Sequence, residues 1–204
     1  NLLYKSHEYQ QIALDGEVNS SGFKGNISVV DPLCKLNANL GYDFIKPSHS
    51  MKLKAYIEQF SPYELNLTRV KNLDDIRFSA KVMAEGKLGS LRYPIGMLNV
   101  DSLVISNATD TYTLPFISAE AKRLEDGYYA STSSELLDVT YIRQDSTINI
   151  QGIIGEAKKL SQILNLPVAI IKESNFHIEM NADNRLIYAG IKVPEALHGN
   201  NIMS

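Results

Sequence analysis

The chain has 204 residues, of which 44% are hydrophobic and 21% charged, a composition typical of a folded protein with one large β domain or two small ones. Its net charge of −3 and the lack of Lys/Arg runs argue against nucleic acid or an anionic membrane surface as a partner. No apolar run is long enough to cross a bilayer as a helix, and a single cysteine excludes an internal disulfide. No segment has the composition of a linker, so we expect one domain over residues 1–204.

Alternation of apolar and polar residues predicts strands along the first part of the chain, because successive side chains of a strand point to opposite faces. Residues 12–18 and 23–30 are the first two strands, and the second ends at Asp31-Pro32 since proline cannot donate to a ladder. Residues 34–44 and 51–58 form the next two, joined by a turn that contains a proline. We expect these two strands to pair antiparallel, with their apolar side turned inward.

The strand period breaks at Ser61. Ser61 suits a helix N-cap, Pro62 the first helical position and Glu64 the third position of a capping box, so we expect one or two helical turns that cross a sheet edge. The next strand, over residues 76–84, again has one apolar side. The candidate apolar face of these strands consists of Leu36, Ala38, Leu40, Tyr42, Met51, Leu53, Ala55, Ile57, Ile76, Phe78, Ala80 and Val82.

In the second half of the chain, short strands and turns alternate regularly, which is typical of an antiparallel meander and not of βαβ units. A helical period interrupts them over residues 156–164, with Leu160, Ile163 and Leu164 on or beside its apolar stripe. An isolated helix of this length is marginal in water, so we expect these side chains to dock on the apolar face and close one end of it. The predicted strands of this half are 97–106, 111–119, 128–133, 136–144, 148–153, 176–180 and 186–193, with residues 195–204 frayed.

The residue types that carry chemistry do not combine into a catalytic or metal site. No two of the four histidines stand at a metal-ligand spacing, and the adjacent carboxylates Asp74-Asp75 and Glu125-Asp126 are typical of turns. Cys34 lies on the apolar side of its strand, which favours a small buried hydrophobe over a nucleophile. We therefore expect no enzyme, no metal and no cofactor.

The order of several short patterns resembles TamB-like proteins, members of the AsmA-like group of bacterial envelope bridges. In that family a strand that closes in Asp-Pro precedes an alternating strand, a further strand and a short turn that contains leucine. One departure is Leu40, which stands where the family usually has glycine, with Gly41 one place on. The patterns that carry the resemblance are residues 27–32, Leu36-x-Ala38, 42–44, 62–67, 98–103, 133–139 and the helix at 156–164 with Pro167.

The resemblance implies a fold, a location and a function. The expected fold is all-β, a long antiparallel sheet curved into an open trough of the β-taco type, with the short helix near its C-terminal end. The family is associated with phospholipid movement between membranes and with outer-membrane protein assembly, so phospholipid and an outer-membrane assembly protein are the implied partners. The chain would be an internal periplasmic piece of a longer protein, anchored to the inner membrane through a segment that is not present here.

Two questions remain open from the residues alone. A strand with one apolar side can hold acyl chains or a second sheet equally well, since burial stabilises both by about 25 cal/mol per Å². The alternative is therefore a closed β-sandwich that acts as an adhesive or glycan-binding module, with Tyr128 and Tyr129 as contacts. In the same way, the helix is either a plain cap on a sheet edge or a plug that limits lipid passage.

Overall fold

The computed structural model describes residues 2–45, 49–87, 94–181, 183–198 and 201–203. It contains seventeen strands and one short α-helix in these ranges. The strands are β1 Leu2–Tyr4, β2 His7–Tyr9, β3 Ile12–Asn19, β4 Gly22–Asp31, β5 Cys34–Asp43, β6 Ser50–Phe60, β7 Arg77–Lys87, β8 Ile95–Ser106, β9 Thr111–Leu124, β10 Gly127–Ser134, β11 Leu137–Gln144, β12 Thr147–Ile154, β13 Val168–Ile170, β14 Ser174–Asn181, β15 Leu186–Lys192, β16 Ala196–His198 and β17 Asn201–Met203. The helix α1 is Lys158–Ile163, and a 3-10 turn covers Lys71–Leu73.

Twelve of the strands form one open antiparallel sheet. Strands β3 to β12 follow one another in chain order, and β14 and β15 complete the sheet beyond β12. The segment between β12 and β14 holds α1 and β13, and β13 pairs with β16 and β17 in a separate sheet of three strands. Strands β1 and β2 form a hairpin of their own. The predicted all-β class, the antiparallel meander and the single short helix are therefore confirmed.

The meander gives the large sheet two different margins. At the hairpin margin, tight turns at 20–21, 125–126 and 145–146 join consecutive strands. At the loop margin, the longer connections 61–76 and 155–173 leave and re-enter the sheet. Both buried hydrophobic clusters contain residues of the loop margin, where these connections supply a second layer. Both clusters of buried side chains thus lie at one end of the strands.

Two expectations about local structure were wrong, and a third, the helical turns after Ser61, was met only in part. Residues 62–66 form turns and not an α-helix, although Leu65 N donates to Ser61 O at 3.1 Å as in one helical turn. The Ser61 hydroxyl is buried without a hydrogen-bond partner among the described residues, so it does not act as an N-cap. Leu65 is fully buried and holds the segment against β4 and β5. The C-terminal residues predicted as frayed instead form β16 and β17.

Candidate functional site

The predicted apolar series of β5 and β6 lies on one side of the sheet. Directly opposite residues of an antiparallel pair point to the same face, and the register pairs the predicted residues with one another. The matches across β5 and β6 are Leu36 with Ile57, Ala38 with Ala55, Leu40 with Leu53, and Tyr42 with Met51. Strand β7 continues the face, since Ala55 lies opposite Val82 and Ile57 opposite Ala80.

Lysines and glutamates predominate on the reverse face of the same strands, which also carries the exposed Tyr56 and Met83. Lys52 and Glu85 form an ion pair across β6 and β7 with 3.2 Å between Nζ and Oε1. Lys35 and Glu58 do the same at 3.5 Å across β5 and β6. Their side chains stay exposed, so these pairs add little stability, and they mark the reverse face as the more polar of the two.

Most of the predicted face residues are half-buried. Ala38 and Ala80 are each 8% exposed, and nine of the remaining predicted residues are of intermediate exposure. Side chains under a second, interdigitating sheet would be buried more uniformly. In the described part of the chain, the strands of the large sheet contact their neighbours in the sheet, and α1 contacts β9 and β13. The sheet is therefore open, and a two-sheet sandwich over this face is not the architecture of the described residues.

Ile76 occupies a different place from the other predicted face residues. It precedes the first residue of β7 and is 1% exposed. It packs in a buried cluster with Ile105 and Ile163, at the loop margin and under the helix. The alternation of apolar and polar residues placed Ile76 on the correct face of the sheet. Sequence alone does not show that a helix covers Ile76.

The apolar face is wider than the series read from the sequence. It extends through β4 to the edge strand β3, and through β8, β9, β11, β12 and β14 to the edge strand β15. The strand registers place the additional apolar residues opposite one another in pairs. Each of these strands shows the same alternation of apolar and polar residues as β5 and β6, and in the sequence this alternation was used only to predict the strands. The additional pairs are Leu14 with Ile27, Ile12 with Val29, Val82 with Val100, Leu98 with Ala119, Val100 with Ile117, Tyr141 with Ile150, Ile150 with Ile178, and Ile178 with Ala189.

The face is open to water at both edges of the sheet. Leu14 and Val18 of β3 are 70% and 71% exposed. Ile187 and Ile191 of β15 are 68% and 69% exposed. Large apolar side chains at this exposure are uncommon in such numbers on one surface, and a continuous patch of them marks a binding surface more often than isolated residues do.

The predicted docking residues of the helix lie at the loop margin. Ile163 is 3% exposed and belongs to the cluster with Ile76 and Ile105, and Leu160 and Leu164 pack against that cluster. Asn72 donates from Nδ2 to Leu164 O at 3.1 Å and to Asn165 O at 2.8 Å, which satisfies carbonyl groups at the helix C-terminus. The helix is thus fixed at one end of the strands.

The second buried cluster contains Cys34. Cys34 packs with Val29 and Leu65 and is 4% exposed, which confirms the burial predicted for it. Burial raises the pKa of its thiol, and the nearby Asp31 carboxylate raises it further. A protonated, enclosed thiol is a poor nucleophile.

The two tyrosines proposed as glycan contacts do not share a surface. Tyr128 is 9% exposed and its hydroxyl donates to Pro94 O at 2.6 Å. Tyr129, as the next residue in β10, points to the opposite face, where the Lys122 ammonium lies 4.6 Å from its ring centroid. The pair cannot form one stacking platform, and no observation favours the glycan-binding alternative.

Within the described ranges, no three His, Cys, Asp or Glu side chains come together in a way that could hold a metal ion. The helices of the same ranges are too short or too polar to traverse a bilayer.

No family model, curated protein or solved structure matches the chain. The likeness to TamB-like proteins therefore rests on the order of the sequence patterns alone and stays a prediction.

Proposed function

We propose that the apolar face binds the acyl chains of phospholipids. The observation that carries the proposal is one apolar face shared by the strands of an open sheet. In the described part of the chain, the one other sheet that packs on this face is the short β1–β2 hairpin, whose Tyr9 packs against the cluster of Val29 at the loop margin. Strands lie about 4.8 Å apart and rise about 3.4 Å per residue, so twelve strands with several apolar positions each present on the order of 1,000 Å². Single proteins rarely leave more than a few hundred Å² of continuous apolar surface without a ligand.

The chemistry of the face favours hydrocarbon as its occupant. A row of aliphatic side chains crosses the strands in unbroken register, through Leu40, Leu53, Ala84, Leu98 and Ala119. A single extended polypeptide laid over this row would bury backbone N–H and C=O groups that the side chains cannot bond, whereas a helix or a second sheet would bond those groups within itself. An acyl chain has no such groups, so its burial carries no desolvation cost of this kind.

The cellular setting comes from the sequence resemblance. On that basis the chain acts as a structural and transport segment of a bridge between the inner and outer membranes of a bacterium. It lies in the periplasm and supports lipid transport or the assembly of outer-membrane proteins, together with an outer-membrane assembly protein. The open apolar face supports the lipid part of this proposal, and the bridge itself awaits a test in cells.

A charge on the face tests the proposal. Leu53 lies between Leu40 and Ala84 in the centre of the row, so Leu53→Glu places a carboxylate where acyl chains would lie. The matched control is Lys54→Glu, which introduces the same side chain one position on, on the exposed reverse face. We expect lipid retained through purification, measured by native mass spectrometry and lipid extraction, to fall at least about tenfold in Leu53→Glu and to stay unchanged in Lys54→Glu.

Photocrosslinking gives the same test in cells. A photoreactive amino acid at Leu40 or Ala84 should capture lipid, and one at Lys54 should not. If the folded protein yields no lipid at any face position, or equal amounts from both faces, the proposal is wrong.

A further inference from the structure

Two arginines flank a tyrosine where the apolar face reaches the hairpin margin. Tyr128 lies opposite Arg123 of β9 and opposite Arg143 of β11, so all three side chains share one face. Two residues further along β10, Ala130 lies opposite Ala121 and Tyr141 on the same face. The arginines therefore stand at the end of the apolar rows and on the same side of the sheet.

A cavity of about 280 Å³ opens between these side chains. Its lining comprises both arginines, Tyr128, Gly127 and the turn residues Asp126 and Asp145. The volume lies at or below the lower limit for a site that encloses a drug-sized molecule, so it fits a polar headgroup and not a whole lipid.

The floor of the cavity is fixed by Tyr128. Its hydroxyl donates to Pro94 O at 2.6 Å, and its ring meets that of Tyr141 edge to face, with 6.1 Å between centroids. Burial, followed by the neighbouring Tyr141, raises the pKa of the Tyr128 phenol, so this hydroxyl remains a donor at neutral pH. These two contacts hold Tyr128, which lies between the strands that carry the arginines, in one position.

The cavity carries both signs of charge. Among the ion pairs of the described residues, none involves Arg123, Asp126 or Asp145. Guanidinium groups bind phosphate oxygens in a planar, often bidentate geometry, and carboxylates bind ammonium groups. Strands β9 and β11 are both neighbours of β10, so the arginine backbones are about 10 Å apart, which allows both side chains to converge on one anion.

We infer that this cavity binds the headgroup of a zwitterionic phospholipid whose acyl chains lie on the apolar face. Arg123 and Arg143 take the phosphodiester, and Asp126 and Asp145 take a primary ammonium group such as that of phosphoethanolamine. The inference rests on the proposed lipid function and adds a preference for one headgroup class. A purely anionic headgroup would satisfy the arginines and leave two carboxylates beside its own charge, which is unfavourable.

The test presents the purified protein with detergent micelles that contain phosphatidylethanolamine and phosphatidylglycerol with identical acyl chains in equal amounts. Native mass spectrometry then reads the ratio of the two bound lipids. We expect the unaltered chain to enrich phosphatidylethanolamine, Asp126→Asn with Asp145→Asn to shift the ratio toward phosphatidylglycerol, and Arg123→Gln with Arg143→Gln to weaken binding of both lipids about tenfold. Arg77→Gln is the matched control, because Arg77 is an exposed arginine at the start of β7, at the loop margin and away from the cavity. This substitution should leave the binding of both lipids unchanged.

Two further arms separate the possible failures. Water-soluble glycerophosphoethanolamine, at the same concentration as the lipid, should not displace bound phosphatidylethanolamine. If the protein binds both with equal affinity, the cavity is a site for a soluble phosphodiester and the inference is overturned. Equal ratios of the two lipids in the unaltered chain and in all variants would also overturn it, while the retained lipid would leave the proposed function standing. A chain that retains no lipid at all would overturn both. The aspartate variant changes no charged contact of the sheet interior, so it decides the question even if the arginine variant fails to fold.

Discussion

At the scale of single residues, Asp31 shows how one buried polar group organises its surroundings. Its side chain is 0% exposed and accepts hydrogen bonds from Leu33 N at 2.9 Å, Gln10 N at 3.1 Å and His7 Nε2 at 3.2 Å. These donors come from the turn after β4 and from the hairpin β1–β2 with its following residue. Asp31 therefore links the N-terminal hairpin to the large sheet, a role that its position before Pro32 did not reveal.

Asp31 should make stability depend on pH in the acid range. Burial by itself raises the pKa of this carboxyl, but the hydrogen bonds from Leu33, Gln10 and His7 outweigh it and hold the pKa below its ordinary value. A carboxyl whose pKa is lower in the folded chain than in the unfolded chain stabilises the protein at pH values above its unfolded pKa of about 3.9. This stabilisation is lost as the pH falls through the folded pKa. We expect urea unfolding to show Asp31→Asn to be less stable by about 1–3 kcal/mol at pH 7, with the difference shrinking below about pH 4.

The control for this prediction is Asp15→Asn, an exposed aspartate of β3. Its stability curve should follow that of the unaltered chain at every pH. A difference between Asp31→Asn and the unaltered chain that stays constant from pH 7 to pH 3 would show that the carboxylate charge does not contribute.

At the scale of elements, strands were predictable and several other features were not. The alternation in residues 34–44 predicted β5 to within one residue, because one face of the strand is apolar and the other polar. The three-residue strands β16 and β17 are too short to show a period. The capping box at Ser61 failed because tertiary burial of Leu65 overrides the local signal. The Asn72 contact with the C-terminal end of α1 joins residues 92 apart in the chain, so no local pattern predicts it.

The helix α1 should depend on one side chain more than on the rest. Ile163 is 3% exposed, whereas Leu160 and Leu164 are half-buried. We therefore expect Ile163→Ala to destabilise the protein by about 2–5 kcal/mol in chemical unfolding, and each leucine-to-alanine change to cost less. Gln162→Ala, an exposed change in the same helix, should stay within about 0.5 kcal/mol of the unaltered chain.

The same variant separates a plug from a plain cap. If α1 limits lipid passage, folded Ile163→Ala protein should take up more lipid than the Gln162→Ala control. Equal uptake with a large loss of stability would leave α1 as a cap, and equal stability of the two variants would show that the helix is not docked.

At the scale of the whole molecule, the meander makes stability local. Each strand of the large sheet pairs only with its immediate neighbours, and the outer sides of β3 and β15 carry no partner strand in the described part of the chain. We expect hydrogen exchange to be slowest in the central strands β7 to β9 and progressively faster toward β3 and β15, since edge strands can open without disturbing the centre. Uniform protection across all twelve strands would instead show that the sheet opens as one cooperative unit.

The chain-order pairing of β3 to β12 also fixes a distance. Twelve strands have eleven spacings of about 4.8 Å, so the sheet is roughly 50 Å wide along the direction in which the apolar rows run. A bilayer with its headgroups is about 40–45 Å thick, so the width of this sheet is comparable to a whole membrane. Each further hairpin beside β3 or β15 adds about 10 Å and leaves every existing row in register. In an architecture of this kind, the gap that a protein can span is set by the number of its hairpins, with no change to the packing within any of them.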